Sequence, residues 1–176
     1  MPTQEFNKTG AEIEQAVPGD AETICDIRDR TRLEAYPDAE LGITVDGIRL
    51  NAQDKNGEFV LHRVAYQRGK LAQDDCSGLT TFVAKARGKV VGYIDPRFDE
   101  QGRRRIGAIY VEPEAQGKGV GGKLMQKVLN LYGRDEDIIL GVVSYNQNAI
   151  DFYKRFGLEQ TDAVVPEAEG RLGIYR

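Results

Sequence analysis

The chain has 176 residues, 40% of them hydrophobic and 30% charged, with a formal net charge of −4. That length suits one domain, 1–176, around one core, and the acidic balance excludes a general grip on nucleic acid, which needs a basic surface. One histidine, His62, and two cysteines, Cys25 and Cys76, leave little material for a histidine metal cluster or a disulfide framework. The cysteines read as free thiols of a reducing compartment. The first ten residues lack the apolar centre of a signal peptide, and no apolar run nears the about 18 residues that span a bilayer, so a cytoplasmic protein without membrane or nucleic-acid partners is expected.

Residues 1–10 read as a loose end. "AEIEQAV" (11–17) alternates as a strand does and stops at Pro18-Gly19. Asp20 is placed to cap a helix through "AETICDIRDRTRLEAY", where Ile24, Ile27 and Leu33 fall near helical spacing. Residues 38–76 are polar and mixed, with helical candidates near 43–50 and 59–71; "FVLHRVAY" places His62 in a structural stretch. "TTFVAKAR" and "KVVGYID" are strand-like runs joined at Gly88, a hairpin signal. "RRIGAIYV" (104–111) is a third run, ended by Pro113, and its Arg103-Arg104-Arg105 start reads as solvated.

The loop "QGKGVGGK" (116–123) comes next, and behind it Val120, Leu124, Val128 and Leu131 predict one apolar helical face, closed by Gly133. "DIILGVVS" (137–144) is the nearly continuous apolar run of a strand covered on both faces. Ala149, Phe152, Tyr153 and Phe156, at i, i+3, i+4 and i+7, predict a second helix with Gly157 as its stop. Short strands at 162–165 and 171–175 finish an α/β fold with a mixed sheet: a β-meander, then β-α-β-α-β.

Three phosphate-binding patterns can be laid over the loop. The P-loop pattern finds Gly117, Gly122 and Lys123, but its metal-binding hydroxyl is replaced by Leu124. The dinucleotide pattern finds Gly117, Gly119 and Gly122, yet the following strand ends "VVSYN" without the acidic residue that holds a ribose. The third, Q/R-x-x-G-x-G/A, is met by Gln116, Gly119 and Gly121. Whatever the pattern, bared backbone at a helix start suits an anion: the first amides lack internal partners and the helix end carries about half a positive charge. Lys118 and Lys123 add charge nearby.

The third pattern marks the pyrophosphate loop of the GNAT superfamily of acyl-CoA-dependent N-acetyltransferases. "IYVEPEAQGKGVGGKLMQKVL" resembles that family's fourth strand, loop and helix, and "GKVVGYI" its second hairpin. "SYNQNAIDFYKRFGLEQT" resembles its next signature through Asn146, Ala149, Tyr153, Gly157 and Leu158. The likeness covers about residues 78–165. It implies the GNAT-like fold, with a splayed central strand pair, and acetyl-CoA as co-substrate without a metal. The pyrophosphate is then expected on the amides of Gly117, Lys118, Gly119, Val120, Gly121 and Gly122, with Gln116 heading the motif. The pantetheine arm is expected beside the strand ending at Val111, whose N–H faces the thioester carbonyl. Asn146, first a helix cap, fits the motif as a contact to the arm.

By the same resemblance an amine attacks the thioester directly and Tyr153 is the acid that meets the departing thiolate. The glutamate that some relatives carry on the fourth strand is replaced by Arg105, so the base is unassigned; Asp95 and Glu34 are carboxylates on offer. Tyr36, Asp38, Glu40 and the acidic "PEAEG" are available to attract a cationic amine or to face water. A small amine or a peptide remains open as acceptor, as do another acyl-CoA and a non-catalytic CoA sensor on the same scaffold. A homodimer is the family-level expectation.

Overall fold

The computed structural model describes residues 10–52, 58–73, 79–133, 137–167 and 170–175; for 50–52, 58–61, 162–167 and 170–175 the backbone alone is described. Cys76 and part of "PEAEG" lie outside the described residues. Strand β1 (Glu12–Gln15) leads through a 3-10 turn into α1 (Ala21–Ala35), α2 (Val45–Ala52) and α3 (Glu58–Ala72). Then come β2 (Phe82–Ala86), β3 (Lys89–Phe98), β4 (Arg104–Val111), α4 (Val120–Tyr132), β5 (Ile138–Val143), α5 (Gln147–Lys154), β6 (Gln160–Glu167) and β7 (Gly170–Tyr175). All seven strands join one sheet in the order β1-β2-β3-β4-β5-β7-β6. β4 and β5 are its parallel pair, and the other neighbours run antiparallel.

The strands' two-residue period divides the core between two faces. Phe82, Ala84, Ile94, Ile106 and Leu140 pack against Val120, Leu124, Met125 and Val128 of α4 and Ile150 of α5. Val83 and Tyr93, pointing the other way, pack against Ile24 and Ile27 of α1. Asp29 of α1 and Arg63 of α3 form an ion pair that fastens the two helices. Cys25 lies buried as a free thiol, and burial pushes its pKa up.

Three local expectations change. Asp20 precedes α1 without capping it through its side chain; its carboxylate accepts instead from the Val17 N–H at 2.9 Å, closing the 3-10 turn. Leu131 is 43% exposed, because a row advancing by four from Val120, Leu124 and Val128 reaches Tyr132 instead. The Tyr132 hydroxyl lies 2.9 Å from the Arg97 carbonyl and 2.7 Å from the Arg105 carbonyl, and burial lifts its pKa to about 12.

Strand β3 also runs past Pro96 to Phe98, where the sequence predicts an end at Asp95. A bulge accommodates the proline: Asp95 faces Ala108 and Pro96 faces Ile106, so Gly107 has no partner on β3. Proline is tolerated in a sheet at such a point, since its missing N–H coincides with the break in the ladder. A Cβ at Gly107 would stand 2.7 Å from the Arg97 Nε, so the exposed Arg97 side chain would have to swing aside.

Tyr132→Phe is expected to lower unfolding free energy by about 1–2 kcal/mol, because two half-buried carbonyls lose their shared donor while the ring stays in place. Urea denaturation would check it: a lowered midpoint with an unchanged slope is expected, and an unchanged midpoint would show that water serves those carbonyls equally well.

Candidate active site

The pairing of β4 with β5 takes in Arg104, Arg105 and Ile106 and then stops. Beyond it β4 stays with β3 as far as Gly92 and Val111, while β5 turns to β7 through Leu140, Gly141, Val142 and Val143. The two central strands therefore splay. The Glu112 N–H donates to the Val91 carbonyl at 2.9 Å, so residues 112 and 110 turn their backbone groups to β3. By the alternation of an antiparallel ladder, Ile109 and Val111 turn theirs toward the gap. The Val111 carbonyl accepts from the Gln116 side-chain amide at 3.0 Å and from Thr31 Oγ1 at 3.3 Å. Its N–H is left facing the splay.

Helix α4 begins at the head of this gap. Its N-cap, Gly119, has φ 85°, no side chain caps the helix, and its first turn holds no acidic residue. The Lys123 N–H returns to the Gly119 carbonyl at 3.1 Å, so the amides of Val120, Gly121 and Gly122 precede the helix's first such bond and have no intrahelical acceptor. Gly117 has φ 69°, and this left-handed conformation disfavours any side chain there. The loop thus fits an anion on backbone donors alone. Lys118 is exposed. Lys123 is committed elsewhere, donating to the Ala11 carbonyl at 3.0 Å and tying α4 to the chain entering β1. Gln116, expected with the anion, spends its amide on Val111.

Gly121 serves another purpose than access. A Cβ there would lie 3.3 Å from the Phe152 ring and 3.7 Å from a methyl of Val111. It is the point where α4, α5 and the end of β4 meet. Phe152 packs in turn against Tyr153, rings 5.4 Å apart, and Phe156, 5.1 Å apart. Asn146 caps α5, accepting from the Ala149 N–H at 3.1 Å, and keeps its own NH₂. Val120 and Tyr153 are buried, 3% and 7% exposed, so Val120 offers a ligand its amide and not its side chain. Burial first, then the neighbouring Tyr36, holds the Tyr153 phenol above its usual pKa.

The carboxylates differ in their partners. Asp95 is ion-paired with Lys70 and accepts from Thr81 Oγ1 at 3.0 Å; Glu34 is exposed on α1. Glu112, 8% exposed, pairs with Arg30 of α1; burial raises its pKa against the pull of that guanidinium. His62 is exposed on α3. Among the described residues no group of three or more His, Cys, Asp or Glu is set to hold a metal, and no helix is long and apolar enough to cross a membrane.

The acetyltransferase (GNAT) family matches residues 44–158. The chain belongs to that GNAT family. An uncharacterized N-acetyltransferase of Methanocaldococcus jannaschii, MJ1207, is 30% identical over 92 residues, which are 47% of this chain and 40% of that one. The match thus spans well under half of the relative's length. In structure the chain resembles the PaiA N-acetyltransferase of Thermoplasma acidophilum, in complex with coenzyme A: TM-score 0.61, 18% identity, 94% of this chain and 98% of that one. It also resembles YncA of Salmonella typhimurium, a putative acetyltransferase with acetyl-CoA: TM-score 0.64, 22% identity, 95% and 92% covered. At those identities the likeness is one of fold, and the splayed strands, glycine loop and α5 are the GNAT framework in this chain.

Three contributors to this GNAT site were not legible in the sequence. Gly107, an isolated glycine inside a strand run, is a recognised sign of a bulge. Tyr110 and Tyr145 join residues far apart in the chain, and no local pattern announces them. The Gly121 contact yields a test. Gly121→Ala is expected to cost about 1 kcal/mol of stability through crowding, and to lower turnover by displacing α5. Phe152→Leu in the same chain should restore both; thermal melts and thiol release from acetyl-CoA read the pair, and two strictly additive losses would deny the contact.

Proposed function

We propose that the chain moves the acetyl group of acetyl-CoA to a primary amine of a small molecule or peptide. What chiefly supports this is the uncapped start of α4 behind Gly117 and Gly119, at the head of a gap edged by unpaired strand backbone. The diphosphate of coenzyme A suits the amides of residues 117–122, with Lys118 above them. The pantetheine arm, amide-bearing and extended, suits the free edge of β4 as an added strand. Asn146 has an NH₂ left to offer it. Val111 N–H would then donate to the thioester carbonyl, a bond that strengthens as that oxygen gains charge.

The reaction follows by direct attack. The amine nitrogen bonds to the carbonyl carbon, a tetrahedral intermediate forms, and the carbon–sulfur bond breaks. The amine loses one proton and the thiolate gains one. Tyr153 is the residue assigned to the thiolate. A phenol near pKa 10 and a thiol near about 8.5 would be close enough for proton transfer. Burial widens that gap, which favours Tyr153 as a hydrogen-bond donor that keeps its proton.

Tyr153→Phe is expected to bind acetyl-CoA within about twofold of the parent and to lose ten- to a hundredfold or more in kcat. Calorimetry and thiol release across an amine panel, with a no-amine control, would measure the two halves. Absence of heat with coenzyme A from folded protein would overturn the donor assignment. Heat without thiol release would favour a sensor, and preference for a longer thioester another transferase.

The pH profile follows from the same burial. A phenol whose pKa is raised stays protonated at every pH below that value, so kcat should show no falling limb from Tyr153 between pH 7 and about 10. A limb centred near pH 9 that vanishes in Tyr153→Phe would show the phenol titrating in that range instead.

A further inference from the structure

Four phenols meet where β4 ends. Tyr36 directly follows α1, and its hydroxyl lies 3.2 Å from that of Tyr110 on β4. Tyr145, just past β5, donates to the Tyr36 carbonyl at 3.2 Å, which fastens the end of α1 across the splay. Tyr153 of α5 stands near enough for Tyr36 to act on its titration, second only to burial. Tyr36 precedes the span 44–158 that matches the family, whereas Tyr110, Tyr145 and Tyr153 lie within it.

We infer that Tyr36, with Tyr110, positions the acceptor amine and selects one that arrives uncharged: the α-amine of a peptide rather than a lysine side chain or a polyamine. This rests on the acetyl-transfer reading above. A phenol carries one donor and two accepting lone pairs. The Tyr36–Tyr110 bond uses one hydrogen, leaving the pair an O–H and several lone pairs. One of those can take an N–H of the amine while the nitrogen lone pair stays free to attack.

The setting disfavours an ammonium. Tyr36 is faced by Tyr110 from β4, with Tyr93 of β3 behind it at 5.8 Å between rings, by Tyr145 beyond β5 and by Tyr153 from α5. From its own helix comes Arg32, whose guanidinium sits 5.5 Å from the Tyr36 ring centroid. Burial raises the Tyr110 phenol, and among the strongest influences on it the one ion is that same Arg32. Two carboxylates lie in this region: Asp38 accepts from the Glu40 and Leu41 N–H groups through one oxygen, at 2.9 and 3.0 Å, and Glu112 pairs with Arg30 through Oε1 while its Oε2 is buried without a partner. At the Tyr36–Tyr110 pair itself, an incoming cation would meet the Arg32 guanidinium and phenols that attract it far less than a carboxylate. At pH 7.4 an α-amine of pKa about 7.7–8.0 is roughly a quarter neutral, whereas a lysine amine near about 10.4 is so in about one part in a thousand.

Thiol release from acetyl-CoA, measured with glycylglycine, Nα-acetyl-lysine amide and spermidine, tests the inference. At pH 7.4 glycylglycine should exceed the other two at least tenfold in kcat/KM, and its kcat/KM should level off above about pH 8 as its amine becomes neutral. Tyr36→Phe should raise the glycylglycine KM about tenfold while leaving the acetyl-CoA KM within about twofold. Tyr110→Phe reads the same phenol pair should the first variant fold poorly. Faster release with lysine amide or spermidine, or an amine KM untouched in both variants, would overturn the inference and leave acetyl transfer standing. Release with no amine at all would sink both.

Discussion

After Ile106 the fourth strand keeps one neighbour and loses the other, and the candidate site is built in what that parting opens. Backbone N–H and C=O groups inside a sheet must be satisfied, and a buried one left alone costs about 1–3 kcal/mol. The break therefore needs a cause on one side and a partner on the other. The bulge at Gly107 supplies the cause, bending β4 while Pro96 forgoes a ladder bond and Arg97 fills the space over the glycine. On the far side β7 supplies the partner, pairing β5 from Leu140 to Val143 so that β5 has no need of β4.

The end of β4 then becomes a junction. Thr31 and Gln116 both reach the Val111 carbonyl, Glu112 pairs with Arg30, Tyr110 meets Tyr36, and Gly121 presses α4 against Phe152 beside Val111. Each contact joins a different element to the same few residues. That density matters for chemistry, because donors fixed before the reaction need not reorganise during it. It also explains the spending of side chains that the loop motif alone would assign to a ligand. Gln116 holds the loop to the strand and Lys123 holds α4 to the chain before β1, so a bound anion would be left to backbone amides and Lys118.

The legible part of the sequence was the part with short-range grammar. Gly88, Pro113, Gly133 and Gly157 punctuate elements that the structure bounds nearby, and the glycine loop lies at the start of α4. α2 and α3 lay within a residue or two of their candidates, yet their polar surfaces gave no hint of what they cover. Local grammar failed where a distant partner decided. Leu131 looked apolar enough for the core, but Tyr132 had two carbonyls waiting, one on each strand of the β3–β4 hairpin. Asp20 looked like a cap for α1 and closed the turn before it. The phenol wall draws on residues 36, 110, 145 and 153, too scattered for any pattern.

A site walled by neutral phenols places a particular demand on the chemistry assigned to it. Transfer from a thioester to a neutral amine is balanced in protons: the nitrogen gives up one, the sulfur takes one, and the solution outside gains none. A carboxylate base is needed when the amine enters as a cation, since its extra proton must then be removed against several kcal/mol. By the resemblance Arg105 would take the place of that carboxylate, and Asp95 is already held by Lys70 and Thr81. On the reading proposed above, an amine that arrives neutral would need no such base, which suits a wall of phenols. On the acetyl-transfer reading, the burial that makes Tyr153 a poor acid would also make it a dependable donor, because its proton would stay in place while the thiolate forms beside it.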